Sequence, residues 1–130
     1  MQNFENKSVI VTGGGGHIGR AIAEAYLRAG ANVSICGRRD PTTPVTVAGR
    51  SAVFVQADIR DPLQSQRVVD AAMSNFQRLD VLVNNAGGSP PKDAAQASPE
   101  FTQKIVQLNL IAPLVLAQQA YHAMAAQQDV

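Results

Sequence analysis

The residues Thr12-Gly13-Gly14-Gly15-Gly16-His17-Ile18-Gly19-Arg20 place four consecutive glycines between an apolar run and a helical pattern. Glycine suits a tight strand-to-helix turn, because it accepts positive φ and lets another group approach the backbone closely. The free amides and dipole of the following helix then favour an anion, so the chemistry on offer is phosphate binding. Gly14, Gly16 and Gly19 fit a GxGxxG spacing, a weak signal alone but a stronger one directly after a strand and before a helix. No Lys-Ser/Thr pair follows, which argues against a nucleotide-triphosphate loop. The bland alternative is a flexible linker, although a plain turn has no use for four glycines. His17 is either a pyrophosphate contact or a partly exposed residue of the first helical turn. His17 and His122 have no clustered Cys, Asp or Glu, so no metal site is expected.

The elements that must hold this turn follow from hydropathy. Val9 to Thr12 reads as a strand buried on both faces. Ile18, Ile22, Ala25, Tyr26 and Ala29 recur at helical spacing, and Gly30 ends that helix. Val33 to Cys36, Val53 to Val55 and Val81 to Val83 are further short strands. Asp61-Pro62 opens a second helix with a cap and a proline, Gln64 stands at the capping-box position, and Val69, Met73 and Phe76 form its stripe. Ser98-Pro99 opens the last helix, with a stripe of Phe101, Ile105, Leu108, Ala112, Val115, Leu116 and Ala120; Pro113 should kink it or loosen one turn. Between Gly37 and Ser51, Pro41, Pro44 and Gly49 predict a loop with at most one turn of helix. Alternating strands and helices define an α/β fold with a parallel sheet.

Composition narrows the class. The chain has 130 residues, the size of one domain or part of one, with 45% hydrophobic and 16% charged residues, which excludes disorder. Eleven Lys and Arg against ten Asp and Glu give a net charge of +1, so no general attraction to nucleic acid or to an anionic membrane is expected. Cys36 is the only cysteine, which excludes an intrachain disulfide and a cysteine-built zinc site. The polar segment from Met1 to Ser8 does not read as a signal peptide, and no stretch reaches the roughly 18 apolar residues of a membrane span. A soluble, cytoplasmic protein is the expectation.

The glycine turn resembles the TGxxxGxG of the short-chain dehydrogenase/reductase family, with Thr12, Gly13 and Gly19 in place and His17 where the middle glycine would stand. Gly13, Gly16 and Gly19 also fit the TGxxGxxG spacing of the extended branch of the family, so the register of the turn stays open. Asn84-Asn85-Ala86-Gly87 is identical to the family's NNAG motif. Asp58-Ile59 looks like the family's adenine-contacting acid and its neighbour; the plainer role for Asp58 is a turn acid. Asn109 matches the helix asparagine of the catalytic tetrad, where it helps hold a proton-relay water; a purely structural hydrogen bond would serve it equally. The resemblance implies a doubly wound, Rossmann-type sheet of order 3-2-1-4, incomplete in this chain. It also implies dinucleotide contacts from Thr12, Gly13, Gly15 and Gly16, from His17, Ile18 and Gly19, and from Asn85, Ala86 and Gly87.

The end of the second strand selects the cofactor in such folds, because an acid there binds the ribose hydroxyls of NAD. Here the position is Gly37, followed by Arg38 and Arg39. Glycine leaves room for a 2′-phosphate and arginine can bind it, which favours NADP; Asp40 could instead act as a ribose acceptor and keep NAD as the alternative.

Residues 1–130 match only the N-terminal half of the family pattern. The serine strand and YxxxK helix have no counterpart, since Tyr121 precedes Ala125 and Tyr26 precedes Gly30 at the required spacing. The resemblance thus implies an NAD(P)(H)-dependent oxidoreductase acting on an alcohol or carbonyl substrate, with this chain supplying the dinucleotide-binding part of a single domain and lacking the Ser/Tyr/Lys group. The alternative is a non-catalytic dinucleotide-binding or sensing module. Val81 to Val83 should lie at a sheet edge, and part of the Ile105-Leu108-Ala112-Val115 stripe should be uncovered, so self-association into a homo-oligomer is expected.

Overall fold

The computed structural model describes residues 3–127; Met1 and Gln2 of the polar N-terminal segment, and residues 128–130, lie outside it. Strand β1 (Ser8–Thr12) is followed by helix α1 (His17–Arg28) and strand β2 (Asn32–Gly37). A hairpin of β3 (Thr46–Val47) and β4 (Arg50–Ser51) precedes β5 (Val53–Gln56), α2 (Pro62–Phe76) and β6 (Val81–Val83). The last helical stretch comprises α3 (Pro99–Val106), a π-helical turn over Gln107–Ile111, and α4 (Ala112–Ala125).

Four of these strands form one parallel sheet in the order β5-β2-β1-β6, the expected 3-2-1-4 arrangement once the hairpin is set apart. β1 lies inside the sheet and is buried at all five residues. Val9 and Val11 pack with Ala23 and Leu27 of α1 on one face, while Ile10 packs with Val68 and Leu116 of α2 and α4 on the other. Covering both faces is why the strand is apolar throughout instead of alternating.

Several expectations need correction. The buried line of α1 is Gly19, Ala23 and Leu27; Ile18 is 73% exposed and Ala25 is exposed, with only Ile22 and Tyr26 of the predicted stripe packing against the core. The glycine supplies no hydrophobicity, so the true line was invisible to a count of large apolar residues. The segment after β2 contains no helix and folds into the hairpin, which turns at Ala48 and Gly49, both with positive φ. Buried Val45 ties it to the α1 face. Gln64 does not close a capping box on Asp61: its Oε1 accepts from the Asp58 amide at 2.9 Å, while the Asp61 amide donates to the Asp58 carbonyl. Proline 113 does loosen one turn. It has no N–H to return to the preceding turn, and the helix passes through the π-helical segment before it. In the last stretch Ala112 is buried and Ile105, Leu108 and Val115 are half-buried; the uncovered apolar side chains are Val106, Leu110, Ile111, Leu114 and Tyr121.

Candidate dinucleotide site

At the C-terminal ends of the parallel strands lies a cleft of about 660 Å³. The glycine turn, the end of β2, the segment after β5 and the segment after β6 all contribute to it. In open parallel sheets ligands bind in this crevice, where neighbouring connections leave on opposite faces.

The turn is shaped by close approach. Gly13 has φ +63°, and a Cβ there would stand 3.1 Å from Asn85 Nδ2 and 3.3 Å from Ala86 Cα. Gly14 is buried against β2, where a Cβ would overlap the Ile35 side chain. At Gly19 a Cβ would overlap the Gly13 carbonyl and come within 2.6 Å of Asn85 Nδ2. Gly16, the N-cap, is different: a Cβ would meet only the Gly13 carbonyl, at 3.5 Å, and the space beyond opens into the cleft. Helix α1 has no side-chain cap. Its first-turn amides thus face an open space that admits an anion, so the backbone fits a pyrophosphate.

Thr12 and Asn85 lock the turn to β6. The Asn85 and Ala86 amides donate to Thr12 Oγ1 at 3.0 and 2.9 Å, and Asn85 Nδ2 donates to the Thr12 carbonyl at 3.0 Å. Thr12 is buried beneath the cleft and does not line it. Asn84 Nδ2 donates to the Pro113 carbonyl at 3.3 Å, tying the same segment to the last helix.

Among the other residues singled out by sequence, Gly13, Gly16, His17, Ile18, Gly19 and Gly37 line the cleft, together with Arg38, Asp58, Ile59, Asn85, Ala86 and Gly87. Gly15 and Arg39 do not; both are exposed, and Gly15 lies over Pro41. A Cβ at Gly37 would find nothing nearer than 3.7 Å, so the end of β2 has room beside it. Arg38 is exposed there, and no described residue hydrogen-bonds its guanidinium.

Asp58 is engaged by its own loop. Arg60 Nη2 donates to Oδ2 at 2.7 Å and Arg60 Nε to Oδ1 at 2.9 Å, while the Arg60 amide reaches Oδ1 at 3.1 Å. The Arg60 side chain, first of all, holds the Asp58 carboxyl below its ordinary range, against a smaller opposing effect of burial. Asp61 is the cap, accepting from the Leu63 amide at 2.9 Å.

Asn109 sits in the π-helical turn and is fully committed to backbone. Its Oδ1 accepts from the Gly88 amide at 2.8 Å, and its Nδ2 donates to the carbonyls of Gly88 at 2.8 Å and Ile105 at 2.9 Å. It does not line the cleft.

Sequence reasoning missed Cys36, Ala57, Arg60 and Leu108 as lining residues. Arg60 could have been found as a cation two residues beyond an acid; the other three are apolar and carry no chemical signal. Burial pushes the Cys36 thiol up to about 11, partly offset by a backbone hydrogen bond from Gly13, so it is an inert wall of the cleft. Among the described residues no three His, Cys, Asp or Glu side chains gather as metal ligands, and no helix is long and apolar enough to cross a membrane.

The fold is a doubly wound α/β sheet with a cleft at the strand ends, and the comparisons with known proteins carry the class further. The profile of the short chain dehydrogenase family matches residues 7–129, and the chain belongs to that family of oxidoreductases. It is 35% identical to a short chain dehydrogenase/reductase of Macrophomina phaseolina, over 96% of this chain and 75% of that protein. Identity to another short chain dehydrogenase/reductase, of Gibberella zeae, is 32% over 99% of this chain and 50% of that protein. Among solved structures, it resembles a citronellol catabolism dehydrogenase of Pseudomonas aeruginosa with a TM-score of 0.85 at 26% identity, covering 96% of this chain and 53% of that one. An aldohexose dehydrogenase of Thermoplasma acidophilum gives a TM-score of 0.84 at 28% identity, over 96% of this chain and 47% of that one. Apart from the Macrophomina protein, the chain spans about half the length of these relatives.

Proposed function

We propose that residues 1–130 are the dinucleotide-binding part of a single Rossmann-type domain in an NADP(H)-dependent short-chain dehydrogenase/reductase. The observation that supports this most is the open N-terminus of α1, uncapped by any side chain and facing a glycine-lined cleft. In this reading Gly13, Gly16 and Gly19 let the pyrophosphate reach the backbone, with Thr12 and Asn85 fixing the turn. Gly37 and Arg38 receive the 2′-phosphate, with Arg39 beside them. Asp58 and Ile59 border the adenine, and Ala86 and Gly87 border the adenosine ribose. The bound dinucleotide would supply the hydride, exchanged with an alcohol or carbonyl substrate in the whole enzyme. Asn109 acts as a positioning residue for the Gly87-Gly88 backbone. The exposed line Val106, Leu110, Leu114 and Tyr121 and the unpaired edge of β6 favour a homo-oligomer. No feature of composition directs the chain away from the cytoplasm.

Calorimetric titration with NADPH and with NADH tests the reading. Binding of both, tighter for NADPH, is the expected result; no binding of either overturns it. A second reading, a dinucleotide-binding module without chemistry, is favoured by Asn109, whose amide is used entirely on backbone. Carbonyl-dependent oxidation of NADPH by this chain would exclude that module.

A further inference from the structure

Helix α1 begins at His17, the one titratable side chain within the glycine turn 13–19, and this residue, exposed, lines the same cleft as Gly13, Gly16 and Gly19. The next cation along the helix is turned elsewhere. Arg20 donates to the carbonyls of Thr43 and Pro44 and lies 3.9 Å from Glu24. The other charged groups of the cleft are Arg38 at the end of β2 and Asp58 and Arg60 before α2, and the latter two are paired with each other. The segment after β6 brings only the neutral amide of Asn85. The side-chain charge at the phosphate end of the cleft is therefore set by His17, at the position where the TGxxxGxG pattern has a glycine.

We propose that His17 is a pH-dependent affinity determinant: its imidazolium pairs with the pyrophosphate, and the protein takes up a proton as the dinucleotide binds. The proposal rests on the dinucleotide reading above. Histidine is the side chain whose charge changes between about pH 5 and 8. A doubly anionic neighbour favours the charged form, so the bound state holds the proton to higher pH than the free state. Affinity is then greatest at low pH and falls as pH rises through the bound-state transition. A charge-assisted contact to the pyrophosphate makes the affinity about tenfold greater on the acid side.

The test is calorimetric titration with NAD, which lacks the 2′-phosphate and so brings no titrating group in this range. Measurements at about pH 6 and about pH 8, each in two buffers of different ionisation enthalpy, read affinity and proton uptake together. The expected result is tighter binding at the lower pH, with proton uptake, in the unmodified chain and in His122→Gln. His17→Gln should bind with no pH dependence and no uptake. His17→Gly is the second variant should the first fail to fold by circular dichroism. Binding by the unmodified chain that is independent of pH, or pH dependence that survives in the His17 variants, overturns the proposal and leaves the dinucleotide reading standing. No binding of NAD or NADPH at either pH overturns that reading, and the proposal with it.

Discussion

Helices α1 and α2 both start beyond the C-terminal end of a parallel strand, and their first turns are completed in opposite ways. Before α2, Asp61 caps the Leu63 amide, Gln64 accepts from Asp58 and donates to Asp61, and Arg60 covers both Asp58 oxygens. That start is closed on itself. Before α1 there is only glycine backbone: Gly16 donates to the Gly13 carbonyl, no side chain caps the helix, and a cleft opens in front. A helix end without partners must be satisfied by water or a ligand. The difference teaches that a candidate binding site stands out by what the chain leaves unsatisfied internally. The α3 start, capped by Ser98 on the Phe101 amide at 3.1 Å, follows the closed pattern.

The sharpest way to break the comparison is at Gly19, where the open turn is held together. Gly19→Ala should cost about 3 kcal/mol of stability by urea denaturation, since the added methyl meets backbone that cannot yield, and should abolish dinucleotide binding. A variant with unchanged stability would mean that the turn has another conformation. Next in size is Arg38→Gln, expected to remove about 2 kcal/mol of binding free energy for NADPH and leave NADH unaffected. Equal loss for both cofactors by calorimetry would place Arg38 elsewhere than at the 2′-phosphate.

At a closed start, Ser98→Ala should cost about 1 kcal/mol in urea denaturation, the usual worth of a cap, with dinucleotide affinity unchanged. The smallest effect is in pH. Asp58 and Asp61 are both held below their ordinary range, by Arg60 and by Gln64 respectively as the leading causes. A depressed folded-state value means that their contribution is present above the unfolded value of about 4 and is lost as pH falls through the folded one. The urea midpoint of the unmodified chain should thus decline on acidification below that value, and Asp58→Asn should lower the midpoint at neutral pH and flatten the decline. An equally steep acid limb in Asp58→Asn would show that the closed start carries no acid-sensitive stability.

Local rules carried much of the fold. Short apolar runs locate the four sheet strands, and Asp61-Pro62 and Ser98-Pro99 mark two helix starts, because capping and the φ of proline act within a few residues. The same rules failed where long-range packing decided. The α1 stripe of large apolar residues differs from the buried line because that line begins with Gly19, which approaches Gly13 and Asn85 closely. The β3–β4 hairpin escapes those rules because its signals, Ala48-Gly49 and one buried Val45, are faint beside two prolines.

What the sequence determined by itself was the glycine turn between β1 and α1. Gly13, with its positive φ, and Gly14, packed against Ile35, permit a backbone conformation and a close approach that a side chain would obstruct, and that constraint is written in residue types. Which side chains meet there was decided only by the tertiary structure. Residues Gly13, Arg38, Asp58 and Ala86 are far apart along the chain and share one cleft because the parallel strands preceding them end at the same edge of the sheet. The opposite fates of Asp58, paired with Arg60, and Arg38, left facing the cleft, depend on distances that spacing does not encode. Ion pairing and desolvation act through space, and only the folded chain fixes the space.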